Sequence, residues 1–243
     1  MASNLADTDG AREAAATALR DSPGARLPSL AEVAYQQVRD AILNGALAAG
    51  QPIGQEEVAG RIGTSRVPLR EALQRLEAEG LVTLRPRRGY IVTSLDPEEI
   101  KDIFDIRMML EERAGYLATL RATDDDVAEV EKLLRAMDNL TVNDATSAAR
   151  FAEKNRAFHE RLYESSGRSQ LCRLMTTLRT NVERYIRIGA QFAGDLKRVS
   201  SDHQLIFNSF KRRDAQTVGR LCREHCAATC ERLIERLQKQ STK

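Results

Sequence analysis

No stretch of this chain approaches the roughly 18 consecutive apolar residues that a membrane-spanning helix requires, so a membrane protein is not the expectation. Residues 1–27 are rich in Ala, Asp, Thr and Gly and lack both the basic start and the apolar segment of a signal peptide; they read as a disordered tail. Cysteine is sparse, four in 243 residues with three in one predicted helix, which points to reduced thiols in a cytoplasm and excludes a disulfide framework. Lysine is absent before Lys101, and histidine occurs only three times, at positions 159, 203 and 225. From residue 97 onward no stretch alternates as a strand would, and no internal repeat or low-complexity segment interrupts the chain. A length of 243 residues nevertheless allows two domains, each with its own core.

What is present is concentrated charge. The net charge of +2 is unremarkable for the whole chain, yet between Arg61 and Arg88 seven arginines face three glutamates, a local balance of +4. This segment also carries a helical pattern. Glu56 to Ile62 reads as a short helix with Val58, Ala59 and Ile62 at helical spacing, and Gly63 supplies a tight turn. Thr64 and Ser65 are cap-type residues, Pro68 is tolerated in a first turn, and Leu69, Ala72, Leu73 and Leu76 mark one buried face. The opposite face presents Arg66, Arg70 and Gln74, either as a plain solvated face or as a helix whose guanidinium forks reach guanine edges and phosphates in a major groove. Leu81 to Leu84 and Tyr90 to Val92 read as two strands joined by the cationic tip Arg85-Pro86-Arg87-Arg88-Gly89. A basic wing beside a basic helix favours the second alternative.

Upstream, Ser29 caps a helix to about Leu43, with Val33, Val38, Ala41 and Ile42 inward. Downstream, residues 94–96 read as a linker, and Asp96-Pro97 opens a helix as cap and first residue. Helices are expected at about 97–121, 124–140, 145–166, 169–190, 195–212 and 215–239, broken near Gly167, Gly194 and Arg213. The expected fold is therefore mainly α: a winged helix-turn-helix over residues 28–93, then an all-α antiparallel helical bundle over residues 97–240.

The three histidines lie on three predicted helices, and Asn155 sits one turn before His159 on the same face. They are either separate packing residues or an N3O set suited to a divalent transition metal, zinc or nickel first. Cys222, Cys226 and Cys230 form a stripe that reads either as thiolate ligands or, more simply, as a small-volume packing seam, with Cys222 near enough to His225 to border a pocket. A metal-dependent hydrolase is the rival from another class, but the chain has no His-Glu-x-x-His helix to supply a general base.

RDAILNGALAAG, SRVPLREALQRLEAEGLV and RRGYIV resemble the winged helix-turn-helix of the GntR family of bacterial transcription regulators. That resemblance implies that Arg66 and Arg70 contact bases or backbone of a double-stranded operator, that Thr64 and Ser65 bind phosphate, and that Arg88 and Gly89 bring the wing to the minor groove. Some relatives carry an arginine where this chain has Gln55 or Glu56. FAEKNRAFHERLYESSG, SDHQLIFNSFKRRDAQ and CREHC resemble the histidine motifs of the FCD effector domain of the FadR-type branch. This implies a metal held by Asn155, His159, His203 and His225, with Asn155 standing where aspartate is common. Asp105 to Glu111 resembles the arginine-bearing start of the same domain, so Arg107 is expected to clamp a small carboxylic acid effector, unless it pairs with Asp105 or Glu111. The function implied is a cytoplasmic, homodimeric, ligand-responsive transcription regulator and not an enzyme; the metal itself as signal is the alternative.

Overall fold

The structure, a computed structural model, describes residues 28–190 and 196–241. The tail expected over 1–27 and the helix break expected at Gly194 lie outside the described residues. Helix α1 (Leu30–Leu43) starts where expected, with the Ser29 hydroxyl accepting from the Glu32 amide. Its buried residues are Ala34, Tyr35, Val38, Ile42 and Leu43, while Val33 and Ala41 are only half-buried. The buried stripe is thus rotated from the expected one, because Tyr35 anchors it by donating its hydroxyl to Glu79. Helix α2 (Gln55–Ile62) ends on Gly63 at φ 74°, a left-handed conformation that opens the turn into α3 (Arg66–Ala78). Leu69, Ala72, Leu73 and Leu76 are buried in α3, as their spacing requires.

The wing is an antiparallel pair, β1 (Val82–Arg85) and β2 (Gly89–Val92), in the register Val82 opposite Val92 and Arg85 opposite Gly89. Both strands extend one residue further toward the tip than the sequence suggested. Arg87 at φ 64° and Gly89 at φ 76° curl the chain tightly enough for Arg85 and Gly89 to pair. These elements close one apolar core around Leu69, Leu73, Leu76, Tyr90 and Val92.

Asp96 then accepts from the Glu98 and Glu99 amides while Glu99 bonds back to the Asp96 amide, a complete capping box that starts α4 (Pro97–Arg121). The bundle continues with α5 (Asp124–Asp138), α6 (Ala145–Glu164), α7 (Ser169–Ala190), α8 (Leu196–Lys211) and α9 (Ala215–Ser241). Helices α5 and α6 stop two residues short of expectation, at an Asn139 cap and before the left-handed Gly167. Helices α4 and α9 meet closely: a Cβ on Gly115 would lie 2.9 Å from Cys222 Sγ, and one on Gly219 would lie 2.9 Å from the Glu112 carbonyl oxygen. Cys222 and Cys226 are buried in this seam and all four thiols are free, so the stripe serves packing. Burial pushes the Cys222 thiol up to about 12, which keeps it protonated. No helix among the described residues is long and apolar enough to cross a membrane.

Candidate metal centre and nucleic-acid interface

The three histidines converge. His159 on α6, His203 on α8 and His225 on α9 are 3 %, 0 % and 8 % exposed, and their nearest ring nitrogens all lie within 4.8 Å of one another. His159 Nε2 and His203 Nε2 are 3.0 Å apart. Two imidazoles bound to one ion at about 2.0–2.1 Å each would stand roughly 2.9–3.4 Å apart, so this separation suits a shared metal as well as a hydrogen bond. His225 Nδ1 lies 3.3 Å from Asp202 Oδ2, which leaves its Nε2 as the ligand atom. That same hydrogen bond holds the Asp202 carboxyl below the usual aspartate range. Burial, with the neighbouring imidazoles adding to it, lowers the pKa of His159 and His203 well below that of free histidine. Both are thus neutral and can offer lone pairs. Asn155, 9 % exposed, has its Oδ1 buried without a hydrogen-bond partner, and an amide oxygen in that condition is a fitting fourth donor.

A cavity of about 280 Å³ lies against this cluster, bordered by His159, Glu111, Tyr163, Cys172, Met175 and Arg179 among others. Arg107 is not in its wall. Its Nε and Nη2 both donate to Glu111 Oε1, at 3.0 and 2.7 Å, while the Tyr163 hydroxyl donates to Glu111 Oε2 at 2.9 Å. Arg107 and Glu111 are 4 % and 5 % exposed, so the pairing with Glu111 that the sequence left open is present, but inside the bundle. Burial opposes both charges; nevertheless Glu111 holds the Arg107 pKa above its ordinary value, and Arg107 keeps the Glu111 carboxyl low. Only Arg107 Nη1 is left without a partner, so the two-pronged carboxylate clamp expected of it is not available while this pair stands. Nor does Cys222 border the cavity; Cys172 does.

Two residues of the site were missed in the sequence. Asp202, directly before His203, orients His225 on the next helix and not its own neighbour, a relation no spacing reveals. Arg179 on α7, 9 % exposed, lines the cavity with Nε and Nη2 unpartnered. An arginine amid the buried stripe of an amphipathic helix was the available signal.

In the N-terminal domain the polar face of α3 is open. Arg66 and Arg70 are exposed, and Arg66 holds only a surface ion pair, 2.6 Å to Glu56, which DNA phosphates can displace. Ser65 is the cap residue of α3, but its hydroxyl makes no cap bond and remains available. Thr64 Oγ1 is enclosed and without a partner, so Ser65 and the first-turn amides are the donors offered to solvent. Arg88 is exposed at the wing tip beside Gly89. Val67, 68 % exposed between the two arginines, is an apolar side chain of the kind that packs on thymine methyls.

Residues 30–92 match the family model for bacterial regulatory proteins of the gntR family, and residues 102–228 match the FCD domain. The regulator BphR of Paraburkholderia xenovorans is 30% identical over 207 residues, covering 84% of both chains. The Nta operon transcriptional regulator of Aminobacter aminovorans is 33% identical over 66% of this chain and 73% of its own. Among solved structures, E. coli McbR/YncC superposes with a TM-score of 0.68 at 22% identity, covering 88% of this chain and all of the other, a likeness of fold. Matched families and relatives are transcription regulators and not enzymes. The chain belongs to the GntR family of bacterial transcription regulators, in the branch whose second domain is an FCD effector domain.

Proposed function

We propose that this regulator acts in the cytoplasm as a homodimer on operator DNA, controlled by a small carboxylic acid that binds beside a divalent metal in the effector domain. The convergence of three buried histidines beside a cavity carries the reading, with His159 and His203 kept neutral by burial. Asn155, His159, His203 and His225 hold the ion, zinc or nickel. When bound, it supplies a dipositive charge that neutral ligands do not cancel, and this favours an anionic oxygen. A cavity of about 280 Å³ is room for an organic ligand, which favours this reading over the metal as sole signal. One relative represses a gluconate operon, and gluconate is a carboxylate of this size. Arg107 acts through its pairing, which fixes Glu111 at the cavity wall.

On the DNA side, Arg66 and Arg70 read base edges, Thr64 and Ser65 open the phosphate-facing turn, and Arg88 and Gly89 carry the wing into the minor groove. Ile106, Met109 and Leu120 on α4 remain 42 %, 60 % and 61 % exposed and share a helix face, which a second copy would cover. Sedimentation of Met109→Asp checks this: monomers are expected, and an unchanged dimer would remove α4 as the contact.

Calorimetry of metal-loaded protein with lactate, malate and gluconate, with and without chelator, tests the effector site. Binding that depends on the metal is expected. Binding undiminished after complete metal removal would overturn the metal-assisted site.

A further inference from the structure

Among the described residues, helix α7 both borders the cavity and touches the DNA-binding domain and its linker at several points. At its cavity end, Arg179 has a loose relation to Glu183: Nε lies 3.6 Å from Oε2, too long for a hydrogen bond, and Nε and Nη2 have no other partner. Glu183 is 1 % exposed, and its other oxygen, Oε1, is 3.2 Å from Arg187 Nε, one turn further on. Arg187 in turn donates from Nη1 to Asn44 Oδ1 at 3.4 Å, and Asn44 caps the end of α1 in the DNA-binding domain. Two firmer contacts flank this chain. The Tyr185 hydroxyl accepts from the Leu95 amide at 2.9 Å, and the Asn181 amide abuts Gly80 at the end of α3, where it donates to the Glu79 carbonyl.

We infer that Arg179 is the residue that holds the carboxylate of the effector, and that Glu183 and Arg187 relay its occupancy to the end of α1. This rests on the carboxylate reading of the cavity given above. The physical reason lies in the donors. Arg179 lines the cavity, and two of its guanidinium N–H groups are buried and unsatisfied, which is costly unless an anion takes them; a carboxylate matches that fork. Arg107 cannot do this, since its fork is already taken by Glu111. Once a ligand carboxylate occupies Arg179, Glu183 Oε2 is released from it, and the nearest cation left is Arg187. A closer two-oxygen grip on Arg187 draws Nη1 away from Asn44, whose 3.4 Å contact is the longest hydrogen bond of the series. The effector thereby loosens the docking of α1 while the Tyr185 and Asn181 contacts keep the domain attached.

The test combines calorimetry with hydrogen–deuterium exchange on full-length, metal-loaded protein, using lactate, malate and gluconate as probes. In wild type, a bound probe should accelerate exchange in residues 42–50. Arg179→Gln should bind the same probe about 10- to 100-fold more weakly, the value of a charge-assisted hydrogen bond. Glu183→Gln should keep probe affinity within about threefold yet lose the exchange response. Asn44→Ala, an exposed change remote from the cavity, should do the same and guards against misfolding of the buried variant. Undiminished binding by Arg179→Gln would overturn the assignment and leave the carboxylate reading intact. Binding without a changed exchange rate at residues 42–50 in wild type, or a response that survives in both Glu183→Gln and Asn44→Ala, would overturn the relay. If wild type binds none of the three, the carboxylate reading falls, and this inference with it.

Discussion

The two domains treat polarity in opposite ways. Among the described residues, the interior of residues 28–93 is apolar, and its arginines stand on the surface of α3 and the wing. The bundle buries Arg107, Glu111, Asn155, Arg179, Glu183 and all three histidines. A domain that reads a polyanion must leave its cations solvated and reachable, where each surface pair adds little to stability. A domain that recognises a small ligand gains specificity by enclosing charges, and it depends on each of them finding a partner. The difference predicts where substitutions act on folding and where they act on binding.

The largest contrast should appear in stability. Arg107→Ala strips the partner from a buried carboxylate, a loss of about 3–5 kcal/mol, so this change unfolds or loosens the bundle before it reports on any effector. Arg66→Ala, which opens only an exposed pair, should shift stability by less than about 0.5 kcal/mol. Thermal or urea unfolding of the two variants compares them directly, and equal losses would erase the distinction. In binding the order reverses. Arg66→Ala and Arg70→Ala should each weaken operator binding relative to random duplex by about 1–3 kcal/mol, measured by competition at fixed salt. Losses equal on both DNAs would reduce α3 to a phosphate clamp. Gly80→Ala probes the seam between the domains: a left-handed residue at φ 76° whose Cβ would fall on the Asn181 amide should lose about 1–3 kcal/mol. Smallest is Arg88→Ala, expected to lower the slope of log affinity against log salt by about 1 on any duplex.

The same contrast explains what was legible in the sequence. Surface reading is written locally: the Gly63 turn, the Leu69 to Leu76 stripe and the Asp96-Pro97 start each follow from neighbours a few residues away, and each stands where the pattern predicted. The strand ends moved by one residue because Arg87 adopts a left-handed conformation that its side chain does not announce. Inside the bundle, spacing alone left the histidines as separate packing residues or as one metal set, and only the family resemblance grouped them, since convergence depends on how α6, α8 and α9 pack. Arg107 shows the limit most clearly. Its neighbour Glu111 was visible one turn away, but whether the pair lay in water or in the core, and so whether the fork was free, is decided by tertiary burial.

The interior account stands or falls on the ion. Equilibrium dialysis of the full-length protein against zinc and nickel, read by elemental analysis, should give about one equivalent per chain, and His203→Ala should lose most of it. Operator affinity without metal should be the same for both proteins. Equal metal uptake by His203→Ala and wild type, or none by either, would contradict a metal site built from the three buried histidines.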